Sequence, residues 1–106
     1  MKPHWIALST GVAFAVVLSA PARAEDAGEK LAKDKGCTAC HAVDKKIIGP
    51  AYKEVAKKYK GDAKAPAMLA EKIVKGGQGV WGPIPMPPNK VTDDEAKKLV
   101  AYVMAL

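Results

Sequence analysis

Beyond residue 24 the apolar positions fall into four groups separated by glycine and proline. Glu25 to Lys35 is rich in helix formers, carries Asp26 and Glu29 in an opening turn where the helix dipole favours acids, and stops at Gly36. This predicts a first helix leading into Cys37. Ala42 to Ala51 contains Gly49-Pro50 and reads as a loop, whereas Tyr52, Val55, Ala56 and Tyr59 recur at i, i+3, i+4 and i+7, the signature of a short helix whose other face carries lysines. Pro66 suits a first helical position, and Leu69 and Ile73, with Met68 or Ala70, give a third helix ending at Gly76-Gly77. Gly76 to Lys90, with Gly82-Pro83-Ile84-Pro85-Met86-Pro87-Pro88-Asn89, suits neither helix nor central strand and is expected as an extended, conformationally restricted loop. Thr92-Asp93-Asp94-Glu95 is a capping-box pattern opening a last helix, with Ala96, Leu99, Val100 and Val103 on one face. No segment has strand period and no repeat occurs, so the expected fold class is all-α, with about four helices and long loops.

Residues 1–24 follow a different pattern. Lys2 precedes an apolar run from Ile6 to Leu18, and Ala22-Arg23-Ala24 matches a small-x-small cleavage site. The run falls short of the roughly 20 residues a membrane-spanning helix needs. A secretory signal peptide cut after Ala24 is therefore expected, leaving residues 25–106 as a single exported domain without a stable membrane anchor.

Charge sharpens this division. Of the 106 residues, all eleven acids and fifteen of the seventeen bases follow Ala24, so the domain carries a formal charge of +4. Such a composition is soluble and moderately basic, neither disordered nor membrane-embedded. Nucleic-acid binding is disfavoured, because aromatics are few and no binding motif occurs. A domain of this size with Tyr52, Tyr59, Trp81 and Tyr102 as its only aromatics has a thin core and calls for a covalent or metal staple.

Cys37-Thr38-Ala39-Cys40-His41 is that candidate, since C-x-x-C-H is the attachment pattern of c-type haem. Two thiols separated by two residues reach the two vinyl groups on neighbouring edges of one porphyrin and form two thioethers, while His41 is directed at the iron. A thioredoxin-like redox pair lacks its βαβ context here, a zinc site lacks ligands because His41 is the domain's sole histidine, and a Cys37–Cys40 disulfide closes only a tiny loop. For the sixth iron position the candidates are Met68, Met86 and Met104. Met68 and Met104 fall at or near apolar helix faces, where methionine is core filler, whereas Met86 lies in a proline-stiffened loop able to hold a thioether at a distant metal. A His/Met pair raises the iron's potential and suits one-electron transfer. If Met86 only packs, the haem is five-coordinate and open to a small gas or to peroxidase-like chemistry. No acid–base or nucleophile constellation offers conventional catalysis, so an enzyme is not expected.

Over Glu25 to Leu106 the sequence resembles the bacterial class I monohaem cytochromes c of the cytochrome c-551 type. Its most specific parts are Cys37-Thr38-Ala39-Cys40-His41, Ile48-Gly49-Pro50-Ala51-Tyr52 and Gln78 to Asn89. The resemblance implies four helices around one covalent haem c, with His41 and Met86 as axial ligands. It further implies a Pro50 carbonyl accepting from the ligand histidine's ring N–H, an Asn89 side chain bonding near the methionine sulfur, and a Lys72/Trp81 pair contacting a haem propionate. Many relatives carry arginine at the Lys72 position, which makes a lysine contact single-pointed. They also often carry larger aromatics where this chain has Ala32 and Tyr102, a departure bearing on how tightly the first and last helices meet. The implied setting is the periplasm. The implied partners are an upstream membrane cytochrome complex and a downstream terminal reductase, such as nitrite reductase, or oxidase, with a monomer as the default and electrostatic steering to an acidic partner as the consequence of the lysines.

Overall fold

In the computed structural model, residues 10–16 and 24–106 are described. The signal peptide expected over residues 1–24 therefore lies for the most part outside the described residues. Four α-helices follow in order: α1 over Ala24–Asp34, α2 over Tyr52–Tyr59, α3 over Ala65–Lys75 and α4 over Asp93–Met104. Among the described residues there is no strand beyond two isolated bridges, His41 with Lys46 and Gly77 with Met86. The all-α expectation is met, and no helix among them is long and apolar enough to cross a membrane.

Local chemistry sets the helix ends. α1 stops one residue earlier than the composition indicates, and Gly36 follows in the left-handed region at φ 77°, which glycine adopts without a Cβ penalty. A single 3-10 turn over Cys37–Ala39, not foreseen from the sequence, carries the chain into His41. Pro66 lies in the first turn of α3, where its missing N–H costs nothing. Thr92 and Glu95 close a reciprocal capping box on α4: the Glu95 N–H donates to Thr92 Oγ1 at 3.1 Å and the Thr92 N–H to Glu95 Oε1 at 3.0 Å.

The core has two parts. Ala32 from α1, Tyr52 from α2, and Leu99 and Tyr102 from α4 form one, while Val55, Tyr59 and Ala65 form the other with Met68, Leu69, Val103 and Met104 against them. Met68 and Met104 are thus core filler. The α4 face differs from expectation in one respect: Tyr102 is buried while Val103 is only partly so. The reason lies across the interface, where Gly28 of α1 leaves no room for a Cβ against the Tyr102 side chain, so the ring fills the space beside a bare backbone. Ala32 and Tyr102, 2% and 6% exposed, bring α1 and α4 into close contact without a larger aromatic.

Thr92→Ala is expected to cost about 1 kcal/mol in denaturant unfolding. Its partner supplies a pH test. The hydrogen bond from the Thr92 N–H, followed by the contact with Lys35 at 3.3 Å, holds the Glu95 carboxyl below its ordinary value of 4.5. A carboxyl lowered on folding contributes stability above its ordinary pKa and loses it as pH falls through the lowered value. Glu95→Gln is therefore expected to be less stable than the parent at neutral pH, with the difference shrinking on acidification below 4.5, as read from midpoints over a pH series.

Candidate functional site

The helices leave the core open on one side. An apolar cleft of about 260 Å³ lies there, floored by Ala32, Tyr52, Val55, Leu99 and Val100, residues that also belong to the core or flank it. Its walls are the two loops on either side of α2 and α3. Cys37, Cys40, His41 and Pro50 reach it from one loop, and Met86 with Trp81, Pro83 and Ile84 from the other.

The Cys-His arm is built by backbone hydrogen bonds. The Cys37 carbonyl accepts from the N–H groups of Cys40 at 3.2 Å and His41 at 3.0 Å, turning both thiols and the imidazole toward one region. The following loop folds back: the Gly49 N–H donates to the Cys40 carbonyl at 2.7 Å and the Tyr52 N–H to the Ala42 carbonyl at 2.9 Å. This return brings Pro50 beside the imidazole, and His41 Nδ1 donates to the Pro50 carbonyl at 2.8 Å. The proton is thereby placed on Nδ1, leaving Nε2 with its lone pair as a metal ligand requires. Burial raises the Cys37 thiol above its ordinary range, with a smaller contribution from Cys40. A raised thiol is the opposite of the activated cysteine of a disulfide oxidoreductase.

The methionine arm is pinned at two places. Gly77 and Met86 exchange both backbone hydrogen bonds, at 3.1 and 2.7 Å. Asn89 donates through its N–H and its Nδ2 to the Ile73 carbonyl, at 3.2 and 3.0 Å, and through Nδ2 to the Pro87 carbonyl at 3.2 Å. Gly76, at φ 80°, permits this approach, since a Cβ there would stand 2.5 Å from the Met86 carbonyl oxygen. Met86 is the one methionine on the cleft wall.

Of the residues singled out from sequence, Cys37, Cys40, His41, Pro50, Lys72, Trp81 and Met86 all line the cleft, and Asn89 does not. The Asn89 amide ties the end of the loop to α3 by donating to the Ile73 and Pro87 carbonyls rather than to the Met86 sulfur. Lys72 and Trp81 share the cleft, but the indole's nearby cation is Lys58 of α2, with Nζ 5.7 Å from the ring centroid. Gly49 and Tyr52 belong to the segment Ile48 to Tyr52 that the resemblance singles out, but no role at the site was expected of either: a Cβ on Gly49 would fall 2.5 Å from His41 Cε1, and Tyr52 is stacked on the His41 ring.

A large apolar hollow open to solvent is unfavourable for a small domain unless an apolar group fills it. Two thiols, an imidazole whose Nδ1 is engaged by the Pro50 carbonyl and a thioether border this one, a donor set that fits a flat apolar macrocycle holding iron. Among the described residues no cluster of three or more His, Cys, Asp or Glu side chains offers an alternative metal site.

Residues 25–106 match the sequence model of the family described as cytochrome c, and the chain belongs to that family. It is 55% identical over 105 residues, 99% of this chain and 98% of the relative, to cytochrome c-551 of Pseudomonas aeruginosa. It is 56% identical over 80 residues, 76% of this chain and 82% of the relative, to cytochrome c-552 of Hydrogenobacter thermophilus. Wild-type cytochrome c552 of Nitrosomonas europaea superposes with a TM-score of 0.72 at 48% identity, covering 74% of this chain and 98% of that one. Within the family the chain is a class I cytochrome of the c-551 type, a small electron-carrying protein whose cofactor is one covalent haem c, and Cys37 and Cys40 fit the C-x-x-C-H attachment motif.

Gly76→Ala combines a left-handed backbone with a clash against Met86 and is expected to cost about 1–3 kcal/mol in denaturant unfolding of the haem-loaded protein. Gly36→Ala, at φ 77° but with open space around it, is expected to cost about 1 kcal/mol and to leave the haem spectrum unchanged.

Proposed function

We propose that this chain is a periplasmic one-electron carrier in which Cys37 and Cys40 hold the haem by two thioethers and His41 and Met86 occupy its two axial positions. The observation that carries the reading is the convergence of His41 and Met86 on one apolar cleft from independently pinned loops. Haem c bound in this cleft supplies the one-electron iron couple. Pro50 keeps the His41 ring proton on Nδ1 and so raises the basicity of the coordinating nitrogen. Met86 on the cleft wall would take the iron position that a substrate or gas needs, which favours a carrier over a catalyst. With haem in place, the Pro-rich arm and the α4 floor of Leu99 and Val100 would present it with apolar groups, lowering the polarity that an iron changing charge by one unit must face. Lys72 and Trp81 stand at the cleft edge as the groups that would meet the propionates. Cleavage after Ala24 would release residues 25–106 into the periplasm, a location the leader pattern and the c-551 relatives both support.

The spectrum of the exported protein, produced in a host that attaches haem c, tests the ligands. The parent is expected to be low-spin, with the far-red sulfur-to-iron band in its oxidised form, and not to bind carbon monoxide. Met86→Ala should lose that band and bind carbon monoxide. A high-spin parent unchanged by Met86→Ala would replace this reading with a five-coordinate, gas-binding or peroxidase-like haem protein.

The donor would be a membrane cytochrome complex and the acceptor a terminal reductase, of which nitrite reductase is the kind the c-551 resemblance favours, or an oxidase. The domain charge of +4 and the presence of Lys46 and Lys72 on the cleft lining support an acidic partner surface. Electron transfer to purified nitrite reductase should then slow as ionic strength rises from about 0.01 to 0.15 M, over which the screening length contracts from about 30 to 8 Å. Salt-independent transfer would remove the steering, and absence of transfer would remove that acceptor.

A further inference from the structure

We infer that Tyr52 is a positioning residue that sets the rotational angle of the His41 ring. The inference rests on the reading of His41 as an iron ligand and extends it to a residue outside the ligand set. The Pro50 carbonyl holds Nδ1 at 2.8 Å, but one hydrogen bond fixes one point of a planar ring and leaves it free to rock about that line. The second constraint comes from α2. Tyr52 stacks on the imidazole with centroids 5.3 Å apart and an angle of 21° between planes. Gly49 supplies a third, because its backbone lies so close that a Cβ would stand 2.5 Å from Cε1, 2.9 Å from Nδ1 and 3.0 Å from Nε2.

Tyr52 can act this way because it is itself held. Its N–H donates to the Ala42 carbonyl, the residue directly after His41, so the stacked rings belong to segments joined by a backbone hydrogen bond. Its ring is 7% exposed and meets Tyr102 edge-on, with centroids 5.8 Å apart and planes at 76°. Ala32 and Leu99 complete the cluster around it. The plane of the imidazole is therefore coupled, through one side chain, to the packing of α1 against α4. The working part of Tyr52 is its ring rather than its hydroxyl, since stacking depends on the aromatic plane.

In a low-spin ferric haem the orientations of the two axial ligands together determine which haem orbital holds the unpaired electron, so with the methionine arm unchanged a turn of the imidazole redistributes the four haem methyl protons in the NMR spectrum. That pattern is a readout which a purely structural role for Tyr52 would not move. In the oxidised haem-loaded protein, Tyr52→Phe is expected to retain the parent's order of methyl resonances, and Tyr52→Leu to reorder or compress them while the far-red band persists. Tyr102→Leu, which frees the edge of Tyr52 without touching His41, should move them in the same direction by less, and it decides the matter if Tyr52→Leu fails to fold. An unchanged pattern in folded Tyr52→Leu, or in Tyr102→Leu where that variant must decide, overturns the inference, as does a Phe variant shifted as far as the Leu variant. None of these outcomes alters the low-spin spectrum of the parent, on which the ligand assignment separately depends.

Discussion

A domain of 82 residues with four aromatic side chains cannot close its own core, and most other features of this structure follow from that shortage. The buried tyrosines, Leu99 and Val100 each keep a few per cent of their surface open, and several of them form the floor of the cleft. Covering such a floor with an apolar ring exchanges water contact for packing at roughly 25 cal/mol per Å² of surface removed from solvent. A covalent haem meets this need better than a reversible ligand, because two thioethers hold it there whatever its concentration. Cofactor and core are in this sense one object.

Each wall of the cleft is a loop, and loops position side chains well only when their backbone groups are tied down. The two walls are tied by different means. The Cys-His wall closes on itself through local bonds among Cys37, Cys40, His41 and Gly49, then reaches Pro50 and the first turn of α2. The methionine wall relies on proline to remove freedom from Pro83 to Pro88, on the paired bonds of Gly77 with Met86, and on Asn89 anchored to α3. Lys58 adds a cation 5.7 Å from the Trp81 ring, an exposed contact of about 0.5–1 kcal/mol that joins α2 to the loop. Both walls thus end on helices, so ring and thioether are presented by a rigid frame.

Surface charge plays a separate part. Among the described residues four ion pairs, Lys33–Glu29, Lys35–Glu95, Lys53–Asp44 and Lys75–Glu71, neutralise lysines near or just beyond helix ends, and three of them join largely exposed partners that contribute little to stability. The lysines left over give the domain its net positive field. Exposed Ile47, Ile48, Val80 and Ile84 add an apolar surface on the two loops that carry the site.

Much of this was legible in the chain. The i, i+3, i+4, i+7 spacing of Tyr52, Val55, Ala56 and Tyr59 announced α2 to the residue, and Thr92 to Glu95 announced the start of α4, because helix periodicity and capping are decided within one or two turns. The C-x-x-C-H motif and the proline-set Met86, which lie on one cleft, could be singled out for a similar reason: each is a short segment whose chemistry needs no distant partner to be recognised. Contacts between segments far apart in sequence were not legible. Nothing local in Gly28 indicates that Tyr102 will take its space, nothing in Asn89 that its amide will serve the Ile73 carbonyl, and nothing in Tyr52 that one edge will meet α4 while its face meets the imidazole. The sequence by itself determined the helices, the attachment motif and the candidate ligands, since these depend on spacing along one chain. Only the tertiary structure decided the shape of the cleft, the bonds that pin its walls and the ring that backs His41, because those depend on how helix faces cross, and crossing is fixed by packing many side chains at once.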